Sequence, residues 1–435
     1  MPCEGRSGRV GVRVVAGDGS VIEEPRLAVR HRSAGSWSRR SLLLFFLPVL
    51  ATALTGLATL AVSGNLLLPF ERVVVLEGKM ASKRDFFEDE EVQRILLKHH
   101  IKVHITSSGS REVAVRDIAA FDFVFPSGQP AGDLITGVRA ADGLYAKVHR
   151  PFVSPIVLAT YREYAETLRD AGIATPLPSE GGDGGGAGGS DRPLYYSLDM
   201  RKFLDSIDRG KRWNDLGIRR HGIANANRIV AQSPDVCGSN SAGTYLALVS
   251  FTWRGDGPDV PTTAQEASSR ARSVKHLMEQ GLPAADVFRT YISPDGKGIA
   301  PVVVAYEHQY LTYQVRHRAE TGRVDSERVL LYPSSQFVTQ PQFIALNDRG
   351  DRLGELVTTD PELRRRAMEL GFRILDPAGE VAGDQLKRFL TERNVPVPAL
   401  RGDDTRSPMP RIRYLEQMIS VVGDCPPAPL PDRAQ

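Results

Sequence analysis

The sequence predicts a parallel-rich α/β fold in two lobes, preceded by one transmembrane helix. Three observations predict it. Short apolar strands alternate with amphipathic helices through most of the chain, the pattern of βαβ units. A strand, hydroxyl-rich loop and helix occur in that order twice, around residues 101–114 and 228–253. The run from Ser41 to Phe70 carries no charged side chain.

At 435 residues the chain is too long for one ordinary domain. Its apolar fraction of 41% is enough for a real core. The 55 basic and 52 acidic residues nearly cancel, and no long basic run occurs, so no nucleic-acid partner is expected. Residues 1–40 read as a cytoplasmic disordered tail ending in Arg30, His31, Arg32, Arg39 and Arg40. Residues 41–70 follow as a signal-anchor helix. Its densest part, residues 42–62, meets the roughly 20 residues that span a bilayer. Arg residues before it and Glu71 after it keep the N-terminus in the cytoplasm and place the remainder outside. A cleaved signal peptide, with Ala61-Val62-Ser63 as the cleavage site, is the rival. Its apolar region would be only about 7–15 residues, so the length favours the uncleaved anchor. Cys3 then lies inside, with Cys237 and Cys425 outside. That oxidising compartment favours a disulfide between them over two separate buried thiols.

Beyond the membrane, Arg72–Leu76 reads as a buried strand ending in Glu77-Gly78-Lys79. A helix follows with Val92, Ile95 and Leu96 at helical spacing, acidic at its start and with Lys98, His99 and His100 at its end. Adjacent histidines on a helix point in different directions, so a solvated helix end is read there and no metal site. Ile101, Val103 and Ile105 alternate as a strand, and the loop Thr106–Arg111 leads into a helix at Glu112–Val115. Asp117–Phe125 gives another helix-to-strand step. Pro151–Leu158 is a strand and Tyr161–Asp170 a helix. The Gly-rich residues 179–191 read as an insertion within one fold, since surface insertions cost little stability. Tyr195–Leu198 is a strand, with Asp199 capping a helix Met200–Ile207. Arg228–Ser233 runs extended into the second loop. Residues 265–281 and 282–289 read as outer helices. Pro301–Glu307, Val329–Pro333 and Gln342–Leu346 are strands, and Pro361–Leu370 is a helix with proline in its first turn. Residues 396–435 read as a Pro-rich tail with a short helix near Leu415–Val421.

The two hydroxyl-rich loops are the candidate site. Ser107, Ser108 and Ser110 stand in the first; Ser239, Asn240, Ser241 and Thr244 stand in the second. Each brings main-chain N–H groups to a helix N-terminus, where partial positive charge suits an anionic or carbonyl-bearing ligand. Plain N-capping by Ser239 or Ser241 explains part of the pattern as well. Ligands of open α/β sheets lie beyond the carboxyl ends of strands, so two such cradles predict a cleft between lobes. Tyr306 and Glu307, at the end of a strand, are placed to meet a ligand amine or hydroxyl.

Several segments, taken in order, resemble type II extracellular solute-binding proteins of the periplasmic type. They are Glu77-Gly78-Lys79, Thr106–Arg111, Ser239–Tyr245, Ala305-Tyr306-Glu307, Leu331-Tyr332-Pro333, Asp360–Leu363 and Glu369–Arg373. The resemblance covers residues 71–395. It implies two lobes closing on a small polar or anionic solute, no cofactor, and pocket roles for Lys79, Ser108, Ser110, Ser239, Ser241, Thr244 and Tyr306 or Glu307. The membrane anchor and the Gly-rich insertion depart from the usual pattern, which leaves uptake through a membrane transporter and sensing through a signalling partner both open. An extracellular interaction ectodomain that no longer binds a solute is the alternative. An enzyme is not expected: no Gly-x-Ser-x-Gly elbow, phosphate-binding Gly-x-x-x-x-Gly-Lys loop or His-Glu-x-x-His pair occurs.

Overall fold

The computed structural model describes residues 47, 48, 50–56, 72–80, 84–109, 113, 117–180, 192–253, 260–278, 287–334, 338–375, 381, 385–398 and 409–426. Two compact units divide it, residues 1–66 and 67–435. In the first, residues 47, 48 and 50–56 are helical and exposed. Most of the expected spanning segment 42–62 lies outside the described residues. Among those that are described, no helix is long and apolar enough to cross a membrane.

Among the described residues the second unit has two large sheets and one two-stranded sheet. The first joins β1 (Val74–Met80), β2 (Ile101–Ser107), β3 (Phe123–Phe125), β4 (Lys147–His149) and a strand formed much later, Phe343–Ala345, in the order β2-β1-β3-(343–345)-β4. β1 runs parallel to β2 and β3, while the late strand runs antiparallel to β3 and β4. One face buries Leu76, Met80, Phe123 and Phe125 against the helix α1 (Glu90–Lys98). The opposite face buries Val124 and Ile344 with Ile135 of α2 (Gln129–Ala141). Two of its four pairings are antiparallel, so the sheet is mixed, and the apolar residues on both faces are what a sheet covered on both sides requires.

The second sheet is built on β5 (Phe152–Tyr161), buried along its whole length. After β5 come α3 (Arg162–Asp170), β6 (Ala174–Pro176), β7 (Tyr195–Leu198) and α4 (Met200–Asp208). Then follow α5 (Asn240–Thr252), α6 (Ala264–Val274), α7 (Val287–Ile292), β8 (Val302–Tyr306), α8 (Glu307–Thr321) and β9 (Arg328–Pro333). β8 and β9 flank β5, both antiparallel to it, and β9 pairs in parallel with β7. The late strand Phe343–Ala345 is β10. It precedes α9 (Asp348–Thr359), α10 (Pro361–Glu369), α11 (Gln385–Glu392) and α12 (Ile412–Gly423).

The chain crosses between lobes at the start of β5, between β9 and β10, and after α10. All three crossings meet at the first residues of β5, where residues 338–339 pair with Ser154 and Pro155, and Arg373–Ile374 pair with Phe152 and Val153. The hinge is therefore the first end of β5, where the second sheet is extended by these two short strands.

Several expectations need correction. Arg228–Ser233 forms no strand; it touches the sheets through single bridges, Arg212 to Arg228 and Gln232 to Val303. Residues 117–122 are not helical. The C-terminal segment is not a tail: Leu415, Met418, Ile419 and Val422 of α12 lie in the second lobe's core. Of the Gly-rich stretch, residues 181–191 lie outside the described residues, while Ser179–Glu180 pair with Val397–Pro398.

Candidate functional site

The two cradles lie on different lobes and meet. The first sits at the carboxyl ends of β1 and β2. The Ser108 N–H donates to the Met80 carbonyl at 2.9 Å, and the Val113 N–H donates to the Gly109 carbonyl at 2.9 Å. The second cradle opens α5. Its N-cap is Ser239, extended as N-caps are, whose Oγ accepts from the Ala242 N–H at 3.4 Å and lies 2.9 Å from the Ser241 Oγ. A Cβ added at Gly109 would come 2.5 Å from the Gly238 carbonyl oxygen, so only glycine lets the two loops approach this closely.

A second contact across the lobes lies beside the first. α2 begins at Gly128, which has no side-chain cap, and a Cβ there would overlap the Asn240 amide. Two helix N-termini thus converge from opposite lobes, α2 from the first and α5 from the second. Their first-turn N–H groups have no intrahelical acceptor and their dipoles present positive ends.

Tyr306, the last residue of β8, joins these parts. The Asn240 Nδ2 donates to its Oη at 3.4 Å. Ser127 of the first lobe also bonds to its hydroxyl, and Ser241 of the second lies close enough to act on it. Burial pushes that phenol up to about 12, opposed by these polar neighbours. Asn240 also reaches the Thr244 Oγ1 at 3.4 Å. Asn240, Ser241, Thr244 and Tyr306 are all buried.

In the first lobe Lys79 is only 8% exposed. Its ammonium lies 5.6 Å from the centre of the Phe121 ring and has no hydrogen-bond or carboxylate partner among the described residues. The Ser108 Oγ is buried and likewise without a hydrogen-bond partner there.

The structure separates the expected residues into groups. Ser108, Ser239, Asn240, Ser241, Thr244 and Tyr306 come together where the cradles meet, with Lys79 on the first lobe's side. Ser107 faces the other way and accepts from the Arg84 Nη1 at 2.7 Å. Ser110 lies outside the described residues. Glu307 is misplaced by sequence reasoning. It is fully buried, and its carboxylate accepts two hydrogen bonds from Arg373, at 2.7 and 2.8 Å, and one from the Tyr332 hydroxyl at 2.8 Å. Strand order placed it near the cleft, but Arg373 at the hinge turns it inward. Ser127 and Gly128 were missed. Their signal was available in Ser127-Gly128-Gln129-Pro130, a helix start with proline in the first turn.

Cys237 and Cys425 are bonded, with a Cα separation of 6.1 Å. The bridge ties the end of α12 to the loop that opens α5. α12 packs on α5 and α6 of the second lobe and touches α2 of the first. His99 contacts Asp360 and His104 contacts Glu77. Among the described residues no cluster suited to a metal ion occurs.

Fold and site together define a two-lobed α/β protein whose polar cradles touch where the lobes meet. No protein-family model matches the chain, and no curated protein matches it. Solved structures with a similar fold include a substrate-binding protein of an ABC transporter from Agrobacterium tumefaciens, with 12% identity, 82% of this chain and 95% of that one covered, and a TM-score of 0.47. Others are iron-bound HitA from Pseudomonas aeruginosa (12%, 81% and 99%, 0.42) and the sulfate-binding protein SubI from Mycobacterium tuberculosis H37Rv (16%, 75% and 93%, 0.39). All three scores fall below 0.5, a likeness too distant to lend this chain a ligand.

Proposed function

We propose that this protein is a membrane-anchored extracytoplasmic receptor that closes two lobes on a small polar or anionic solute, for uptake or sensing. The observation that carries the reading is the Tyr306 hydroxyl, bonded to Ser127 of one lobe and to Asn240 of the other. A hydroxyl that binds both walls reports the relative position of the lobes. A solute bridging the same groups would shift an open–closed equilibrium by its preference for the closed state. The anchor is supported by the uncharged run 41–70 and its flanking charges, with the binding unit outside the cell membrane.

The test is thermal unfolding of the full-length protein against a panel of oxyanions, amino acids and sugars. A solute binding only the folded state raises stability by about 2.7 kcal/mol at a hundredfold excess over its Kd. Wild type should show a dose-dependent shift, and the Ser108→Ala/Ser241→Ala variant should lose it while still unfolding cooperatively. A shift of equal size in that variant would place the site elsewhere.

A further inference from the structure

We propose that the solute is a small oxyanion carrying no ammonium group, a carboxylate or an inorganic oxyanion, and that Lys79 is the cation that balances it. This rests on the two-lobed reading above.

Strand geometry gives Lys79 its place. Side chains alternate along β1, so Gly78 and Met80 serve one face and Lys79 the other. Its register partners are Thr106 on β2 and Val124 on β3. Ser108, two residues past Thr106, lies towards that same face at the strands' carboxyl end. Lys79 is 8% exposed, and its ammonium has no hydrogen-bond or carboxylate partner among the described residues, only the Phe121 ring 5.6 Å away. Its stem is covered while the ammonium keeps access to water, so an anion can reach it without displacing a protein partner. Beside it the Ser108 Oγ is buried and bonded to nothing described. A lone cation and a lone hydroxyl at one strand end mark a place that an anion completes.

The remaining groups decide against other solutes. Ser127, Asn240, Ser241 and Tyr306 are neutral, and two helix starts add main-chain N–H groups. Two of three nearby carboxylates are held by cations. Glu307 is held by Arg373 and Tyr332. Asp122 accepts from Asn347, Arg349 and the Glu77 N–H. Asp235 is exposed and accepts the Cys237 N–H. Of these three, only the exposed Asp235 is left to meet the ammonium of an amino acid or polyamine, while the groups between the cradles are neutral donors and a lysine. An oxyanion brings several acceptor oxygens to several donors and one charge to one lysine.

The experiment titrates the full-length protein with sodium formate, nitrate, sulfate and phosphate, using sodium chloride at matched ionic strength as control. Arginine, putrescine and glucose serve as contrasting solutes, and thermal unfolding and calorimetry as readouts. At least one oxyanion should raise the melting temperature where chloride does not. Its affinity should fall by about tenfold or more in Lys79→Met and stay near wild type in Lys79→Arg. If Lys79→Met fails to fold, Lys79→Gln carries the same comparison. An oxyanion shift that is unchanged without the lysine charge overturns the proposal, as does silence from every oxyanion. A shift by glucose or arginine that survives Lys79→Met but is lost in Ser108→Ala/Ser241→Ala overturns it while leaving the two-lobed receptor standing.

Discussion

Two buried charges sit at similar depth and behave differently. Glu307, at the hinge, is closed into a set: Arg373 grips it with two hydrogen bonds and Tyr332 adds a third. Lys79, at the strand ends of the first lobe, has an aromatic ring and no counter-charge among the described residues. Every acceptor of the first that matters to its charge is already used, so that pair is architecture. The second charge is incomplete within the protein, and incompleteness at the end of a strand is where a ligand is expected. The comparison teaches that burial alone does not mark a functional charge; burial without a partner does.

The largest break of this contrast is Glu307→Ala. It leaves Arg373 buried beside no carboxylate, and loss of one partner of a buried pair costs about 3–5 kcal/mol. Chemical denaturation should show that loss, and a change below about 1 kcal/mol would mean that water already solvates the pair. Lys79→Met should do far less. The Lys79 ammonium is not among the buried atoms sealed from water, so an apolar side chain there is expected to leave the solute-free protein within about 1 kcal/mol of wild type. A marked loss of stability in that variant would reveal a hidden partner and remove the contrast.

Much of this arrangement was legible in the sequence because it is local. The period-2 pattern of Ile101, Val103 and Ile105 marks β2, and the Asp199 and Ser239 caps mark the starts of α4 and α5. α2 goes unassigned from sequence, since Gly132 and Gly137 break up its pattern, although Pro130 fits a first turn. α8 was hidden because charged and aromatic residues surround it, leaving no apolar stripe to detect. The site was half legible for a similar reason. Hydroxyl-rich loops advertise themselves, but the Glu307–Arg373 pair spans 66 residues and only folding reveals it. The same holds for Ser127, brought to Tyr306 from the other lobe.

Tyr306 sharpens the comparison through pH. Its phenol is held at about 12, above the ordinary value near 10, so the folded chain keeps a proton that the unfolded chain releases. Stability from this group is complete below pH 10 and is lost as pH rises towards 12, by a few kcal/mol over the two units, on the order of 1 kcal/mol per unit. Tyr306→Phe lacks that titration. The stability difference between wild type and variant, followed by denaturation from pH 9 to 11, should therefore move in the variant's favour. Parallel curves would mean that the hydroxyl is solvated and does not join the lobes.

The smallest effect is the most discriminating, because it applies one chemical change to both cradles. The Ser239 Oγ caps α5 and bonds to the Ser241 Oγ, so Ser239→Ala should cost about 1 kcal/mol of stability. The Ser108 Oγ has no hydrogen-bond partner among the described residues, so Ser108→Ala removes a buried polar atom that gains nothing from the fold. Its stability should stay within about 0.5 kcal/mol of wild type, or rise slightly. In solute binding Ser108→Ala should still be costly, since its hydroxyl is the one left over. Paired melts and titrations of the two variants measure this directly. If Ser108→Ala costs as much stability as Ser239→Ala and binds as wild type, the unpartnered hydroxyl is a packing feature, and the same doubt extends to Lys79 beside it.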